Sequence, residues 1–152
     1  RGNTTGPIPW CENTPPYIDD TLALGYDVEV DVWGKDGELW LGHDRPIHKV
    51  APKWFEYRMW NLWLHCKNVE ALNIVQRDDF CTIRYFLHDH DPYAFTNSGY
   101  IWCYPGVNPP QQLGIIVLPE NHMSVDAIPH YLSQHTVEGV CSDFVADLRS
   151  YK

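Results

Sequence analysis

The sequence predicts an α/β fold, a compact (β/α) barrel whose outer helices are shortened or missing. Short apolar segments alternate along the chain with turns and brief helical segments, which is the element order of such a barrel. Most of the apolar segments are near-continuous runs, as in parallel strands buried on both faces. Such barrels usually need about 250 residues, whereas this chain has 152. We therefore expect loops in place of several helices, with an incomplete or distorted barrel as the alternative.

The individual elements follow from hydrophobic runs and from turn and cap residues. Pro15 and Pro16 suit the start of a helix, and Asn68 is a suitable cap for another. One domain over residues 1–152 is expected from the length, with a further strand just before Arg1. Strands are predicted over residues 26–33, 39–42, 62–66, 84–88, 99–104, 114–118 and 137–142, and helices over 16–24, 69–77, 124–134 and 142–151.

The net charge argues against two classes of binding partner, and the cysteine pattern indicates a cellular compartment. The formal net charge of −9 argues against a general basic surface for nucleic acid and against attraction to an anionic membrane. No apolar run is long enough for a membrane span, and no signal peptide is visible. The five cysteines are irregularly spaced and include no Cys-x-x-Cys pair. This pattern favours free thiols over a zinc site, and we expect a cytoplasmic protein.

Two carboxylates in the first predicted strand suggest a metal site. Glu29 and Asp31 are two residues apart, so their side chains point to the same face of the strand. Carboxylates grouped in this way suit a hard divalent cation. The next strand leads into His43-Asp44, and an imidazole there can transfer protons beside the ion. The alternative is a pair of solvent-facing carboxylates on an edge strand and a surface histidine in a turn.

Four short motifs stand in order in the first third of the chain: Arg1-Gly2, Glu12-Asn13-Thr14, Glu29-Val30-Asp31 and His43-Asp44. This order resembles the glycerophosphodiester phosphodiesterase family, which has His-Arg-Gly, then Glu-Asn-Thr, then a strand with Glu-x-Asp and a strand ending in His-Asp. The family's first catalytic histidine would stand immediately before Arg1. Near the other end of the chain, residues 139–143 are similar to the family's last strand, which usually ends Gly-x-x-Thr-Asp.

The resemblance implies a TIM-type barrel and a phosphoric diester hydrolase. The expected activity is metal-dependent hydrolysis of a small glycerophosphodiester-like substrate, as in lipid metabolism. Two alternatives stay open. In the first, the chain is a barrel that no longer catalyses the reaction and binds a phosphorylated ligand. In the second, it is a structural subunit of an oligomer or larger assembly.

Catalytic roles are also implied by the resemblance. His43 would act as general acid or base on a phosphodiester oxygen. Arg1 and Lys67 would stabilise charge on the phosphate. Glu12 would lie close to the substrate and support Arg1; the alternative for its motif is a local role at the start of a helix.

The resemblance assigns the metal to Glu29, Asp31 and His65. His65 stands where the family places a third metal-binding carboxylate, and the alternative is a histidine of the core. Mg²⁺ or Ca²⁺ is expected from the oxygen ligands, with Mn²⁺ or Zn²⁺ as alternatives because imidazole favours softer ions. His88 and Trp102 follow or lie on later predicted strands. We expect them at the substrate-binding mouth, with a solvated turn as the alternative for His88.

Overall fold

The computed structural model describes residues 1–77, 82–104, 106–109 and 112–149, and it divides into two compact units. The first contains Arg1–Gly2 and Ile8–Asp89, and the second contains Asn3–Pro7 and the described part of residues 90–152. The described strands form two separate sheets, of five and four strands. The predicted TIM-type barrel is therefore wrong, because a barrel requires one sheet closed on itself. That residues 1–152 form one domain stays a prediction.

The five-stranded sheet of the first unit is mixed. Its strand order is β3-β2-β1-β4-β5, in which β1, β4 and β5 are parallel while β2 and β3 are antiparallel to their neighbours. Asp36 and Gly37 both have positive φ at the turn between β1 and β2, as a two-residue hairpin requires. The strands are β1 (Val28–Lys35), β2 (Glu38–Leu41), β3 (His48–Val50), β4 (Leu62–Cys66) and β5 (Arg84–Leu87).

Three helices belong to this unit: α1 (Pro15–Ala23), α2 (Pro52–Glu56) and α3 (Val69–Arg77). Asn68 joins the start of α3 to β1. Its Oδ1 accepts hydrogen bonds from the amides of Gly34 and Ala71 at 3.0 and 2.9 Å, and its Nδ2 donates to the Gly34 carbonyl at 2.9 Å. Gly34 lies where the backbone of α3 approaches the strand, which leaves no room for a side chain.

The two central strands separate the core from the candidate site. The even-numbered residues of β1 and β4 are buried in the apolar core, so the odd-numbered side chains point to the opposite face. The parallel register aligns Glu29 with Trp63 and Asp31 with His65. The core that fixes this register comprises Ile18, Val28, Val30, Val32, Leu39, Leu41, Val50, Phe55, Leu62, Leu64, Cys66, Ala71, Val75 and Ile83.

The second unit contains the four-stranded sheet, in the order β6-β7-β8-β9. Only its edge strand β6 is antiparallel to its neighbour. Two short 3-10 helices, Pro119–Asn121 and Val125–Ala127, precede the first of its α-helices. The elements are β6 (Tyr93–Phe95), β7 (Ile101–Cys103), β8 (Gly114–Val117), β9 (Gly139–Cys141), α4 (Ile128–Ser133) and α5 (Val145–Leu148).

Several predicted elements differ from the structure. The helix over residues 69–77 and the strand over 62–66 have the predicted bounds. The sequence reasoning missed β3, β6 and α2, which are only three to five residues long. The helix predicted over 124–134 begins as a 3-10 turn. The helix predicted over 142–151 is reduced to α5, and its last two predicted residues lie outside the described part.

Two further observations concern the described residues alone. No helix among them combines the length and the apolar character needed to cross a membrane. Their four cysteines, Cys11, Cys66, Cys103 and Cys141, are free thiols, of which Cys66 and Cys103 are buried. Cys81 lies outside the described residues.

Gly34→Ala tests the close approach of α3 to β1. The new Cβ would lie 2.8 Å from the Glu70 Cβ and would also meet the backbone nitrogen of Ala71. Because backbone must move, we expect the free energy of unfolding to fall by about 1–3 kcal/mol. Urea denaturation followed by tryptophan fluorescence measures this. Gly139→Ala is the control, since its Cβ would meet nothing within 4 Å, and a similar loss there would contradict the explanation.

Candidate functional site

Glu29, Asp31 and His65 form a cluster that can hold a metal ion. One donor atom from each residue lies within 4.8 Å of the other two. The His65 Nδ1 is 3.1 Å from the Asp31 Oδ1 and 3.5 Å from the Glu29 Oε1. All three side chains are largely shielded, with exposed fractions of 11%, 1% and 12%. The alternation along β1 and the register with β4 together produce this cluster.

The donor set fits a divalent cation. Ligands of one ion lie about 2.0–2.6 Å from it, so two of them are at most about 5 Å apart, as the three donor atoms here are. Two carboxylate oxygens and one imidazole nitrogen leave further positions for water or substrate. The Nδ1 of His65 must be free of its proton to serve as a ligand.

The buried carboxylate of Asp31 is the centre of the site. Its Oδ2 accepts hydrogen bonds from the Asn13 Nδ2 and the His43 Nδ1, both at 2.9 Å. Its Oδ1 is 3.1 Å from the His65 Nδ1 and 3.3 Å from the Lys67 Nζ. Each oxygen therefore has its own pair of partners.

These partners determine the protonation of the cluster. Burial raises the pKa of Asp31, but hydrogen bonds from His43 and His65 and the charge of Lys67 outweigh burial and hold that pKa well below its usual value. Burial lowers the pKa of His65, but hydrogen bonds to Asp31 and Glu29 and their charges raise it to about 9. Without an ion, His65 is thus a cation at neutral pH.

His43 lies beside the cluster and is half exposed. Its hydrogen bond to Asp31 raises its pKa, against the opposing effect of partial burial. The residue that orients it is Asp31, whereas Asp44 lies 3.8 Å from the Nε2 and is exposed. Gly42 places the imidazole there. Its amide donates to the Asp31 carbonyl at 3.2 Å, and with φ at +150° a side chain would collide with the Arg45 carbonyl.

Two cations flank the carboxylates. The Arg1 Nη1 is 3.0 Å from the Glu12 Oε2, and the backbone nitrogen of Arg1 donates to the Glu29 carbonyl. Lys67 continues from β4, where its amide donates to the Val32 carbonyl at 2.8 Å. Both cationic side chains are only partly exposed. Such groups are suited to hold the oxygens of a phosphate.

His88 and Trp102, the other two residues predicted to bind substrate, lie in different units. His88 follows β5 in the first unit, with its ring centroid 6.2 Å from that of His65. Its carbonyl is 3.5 Å from the His65 Nε2. Trp102 is a buried residue on β7 of the second unit. Substrate binding by His88 and Trp102 stays a prediction.

Asn13 is the residue that sequence reasoning missed. The sequence offers it only a local role at a helix start, as the alternative for its motif, but its side chain bonds both the carboxylate and the backbone amide of Asp31, each at 2.9 Å. Its position next to Glu12 in the Glu-Asn-Thr motif was the available signal. Nothing in the local pattern shows that an amide would reach a strand 18 residues further along the chain.

The high pKa of His65 predicts how stability depends on pH. Folding raises this pKa from 6.5 to about 9, so the stabilisation is complete below pH 6.5 and is lost as pH rises to 9. The loss is at most about 3 kcal/mol. Urea denaturation of the wild type and of His65→Gln, without metal, measures it. The two pH profiles should diverge below pH 9, and parallel profiles would contradict the ion pair.

Comparison of the chain with protein-family models, with curated proteins and with solved structures finds no match.

Proposed function

We propose that this protein is a metal-dependent phosphodiesterase that hydrolyses a small glycerophosphodiester-like substrate. One observation carries the proposal. The Asp31 carboxylate belongs to the group of possible metal ligands with Glu29 and His65, and it also accepts a hydrogen bond from the acid–base candidate His43. The order of motifs that resembles the glycerophosphodiester phosphodiesterases supports the same chemistry.

The proposed ion is Mg²⁺ or Ca²⁺, held through the oxygens of Glu29 and Asp31. The imidazole of His65 makes Mn²⁺ and Zn²⁺ the alternatives, because nitrogen is a softer ligand than oxygen. When bound, such an ion supplies Lewis acidity that polarises a phosphoryl oxygen.

In the proposed reaction His43 holds or transfers the proton. Its Nδ1 is engaged by Asp31 at 2.9 Å, which leaves the Nε2 as the atom that exchanges protons with the substrate. Asp31 fixes the ring and stabilises its protonated form. The same transfer serves an attacking water or a neighbouring hydroxyl of the substrate.

Lys67 and Arg1 bind the negative oxygens of the phosphate in this proposal. Each cation is already next to a carboxylate, Asp31 at 3.3 Å and Glu12 at 3.0 Å respectively. Their side chains are thereby positioned before the substrate arrives, so that less reorganisation is needed as charge develops.

A non-catalytic protein that binds a phosphorylated ligand is the second candidate. It is favoured by His65, which replaces the carboxylate expected from the resemblance. At neutral pH its imidazolium forms ion pairs with Glu29 and Asp31, so an entering cation must displace a proton.

Hydrolysis of an aryl phosphodiester and of glycerophosphodiesters tests the proposal. The chain, with any natural residues that precede Arg1, is assayed with Mg²⁺, Ca²⁺, Mn²⁺, Zn²⁺ or chelator. We expect turnover that needs an ion and falls by about 10²–10⁴-fold in His43→Ala, the usual contribution of general acid–base catalysis. His130→Ala, an exposed histidine on α4, should retain activity. Folded protein without turnover under any condition would rule out the enzyme.

Lys67→Met tests the role of the lysine in charge stabilisation. Removing one preorganised charged donor should lower kcat by roughly a hundredfold, because the charge of the transition state loses its partner. Lys35→Met is the matched control, since Lys35 is exposed and lies over Trp40. Steady-state kinetics separates kcat from KM, and equal losses in the two variants would refute a specific role.

A further inference from the structure

Asn13 forms two hydrogen bonds with Asp31, which lies 18 residues further along the chain. The Nδ2 of Asn13 donates to the Asp31 Oδ2 and the Oδ1 accepts from the Asp31 amide, each at 2.9 Å. The backbone amide of Asn13 donates to the Arg1 carbonyl at 3.1 Å. One asparagine thus bonds the backbone of Arg1 and both the backbone and carboxylate of Asp31.

The conformation of Asn13 fits a positioning role. The residue is fully buried, and its φ of +59° lies in the left-handed region that asparagine adopts more readily than most residues. A buried polar side chain in this conformation is stable only when its donor and acceptor have partners. Here both groups are directed to Asp31.

The bonds from Asn13 restrict how Asp31 can turn. With Asn13 and His43 on Oδ2, rotation of the carboxylate would break two hydrogen bonds at once. The other oxygen then remains towards His65 and Lys67. Without Asn13, the carboxylate could rotate part of a turn and approach His65 and Lys67 with both oxygens.

We propose that Asn13 is a positioning residue that divides the Asp31 carboxylate between two tasks, with Oδ1 directed to the ion and Oδ2 to His43. This inference rests on the proposed function. Partners that orient a metal ligand typically affect metal affinity by about 10–100-fold. A carboxylate on Nδ1 also keeps the proton of neutral His43 on that nitrogen, leaving Nε2 as the base.

Asn13→Gly tests the proposal, because glycine accepts the positive φ while the side chain, with its amide, is removed. Thr14→Val is the matched control, since the Thr14 hydroxyl bonds the Cys11 carbonyl at 2.7 Å within the same loop. Titration calorimetry with Mn²⁺ alone measures affinity. Two-bond ¹H–¹⁵N spectra without metal, at a pH where His43 is neutral, measure its tautomer. If Asn13→Gly does not fold, Asn13→Ser, too short to reach both groups of Asp31, replaces it.

We expect Asn13→Gly to bind Mn²⁺ at least about tenfold more weakly and to shift His43 from the Nδ1–H towards the Nε2–H tautomer, with Thr14→Val unchanged in both. If the wild type takes up no Mn²⁺, the Mn²⁺ alternative fails and the tautomer alone decides the role of Asn13. The inference is overturned if a folded Asn13 variant keeps the wild-type tautomer of His43 and, where the wild type binds Mn²⁺, also keeps the wild-type affinity.

Discussion

The arrangement of the rest of the site depends on one buried negative charge, the carboxylate of Asp31. The Asp31 carboxylate is only 1% exposed, and a charge so far from water needs donors around it. Asn13, His43, His65 and Lys67 supply these donors from three separate segments. The Asp31 carboxylate therefore holds together the segment around Asn13, the turn after β2 and the end of β4. Removing that charge would leave several donors without an acceptor.

Charge balance distinguishes this site from one built with carboxylates alone. Glu12, Glu29 and Asp31 are opposed by Arg1, Lys67 and, at neutral pH, protonated His65. The cluster is therefore already compensated in the absence of an ion. Any entering cation competes with an internal one, so that occupancy depends on both pH and the softness of the ion. A third carboxylate in place of His65 would add a negative charge and remove the cation that an entering ion must displace.

The sequence predicted the grouping of Glu29, Asp31 and His65 better than the fold, for a physical reason. Alternation within a strand is local, and it placed Glu29 and Asp31 on one face correctly. Closure of a sheet is a global property that local hydrophobic runs do not encode. Between two predicted strands, Asp36 and Gly37 both have positive φ and make a hairpin rather than a crossover to a parallel strand. The role of Asn13 depended on tertiary contact and was therefore hidden from local patterns.

The register between β1 and β4 carries one more consequence. Asp31 faces His65 only because the valines of β1 and the apolar residues of β4 are packed on the far side of the sheet. A slip of one residue would exchange the two faces. Substitutions in the core that never touch the cluster can therefore disturb it, because Val30 and Leu64 help to fix the alignment of Asp31 with His65. The vulnerability of the cluster to mutation thus extends well beyond the residues that form it, into the core on the opposite face of the sheet.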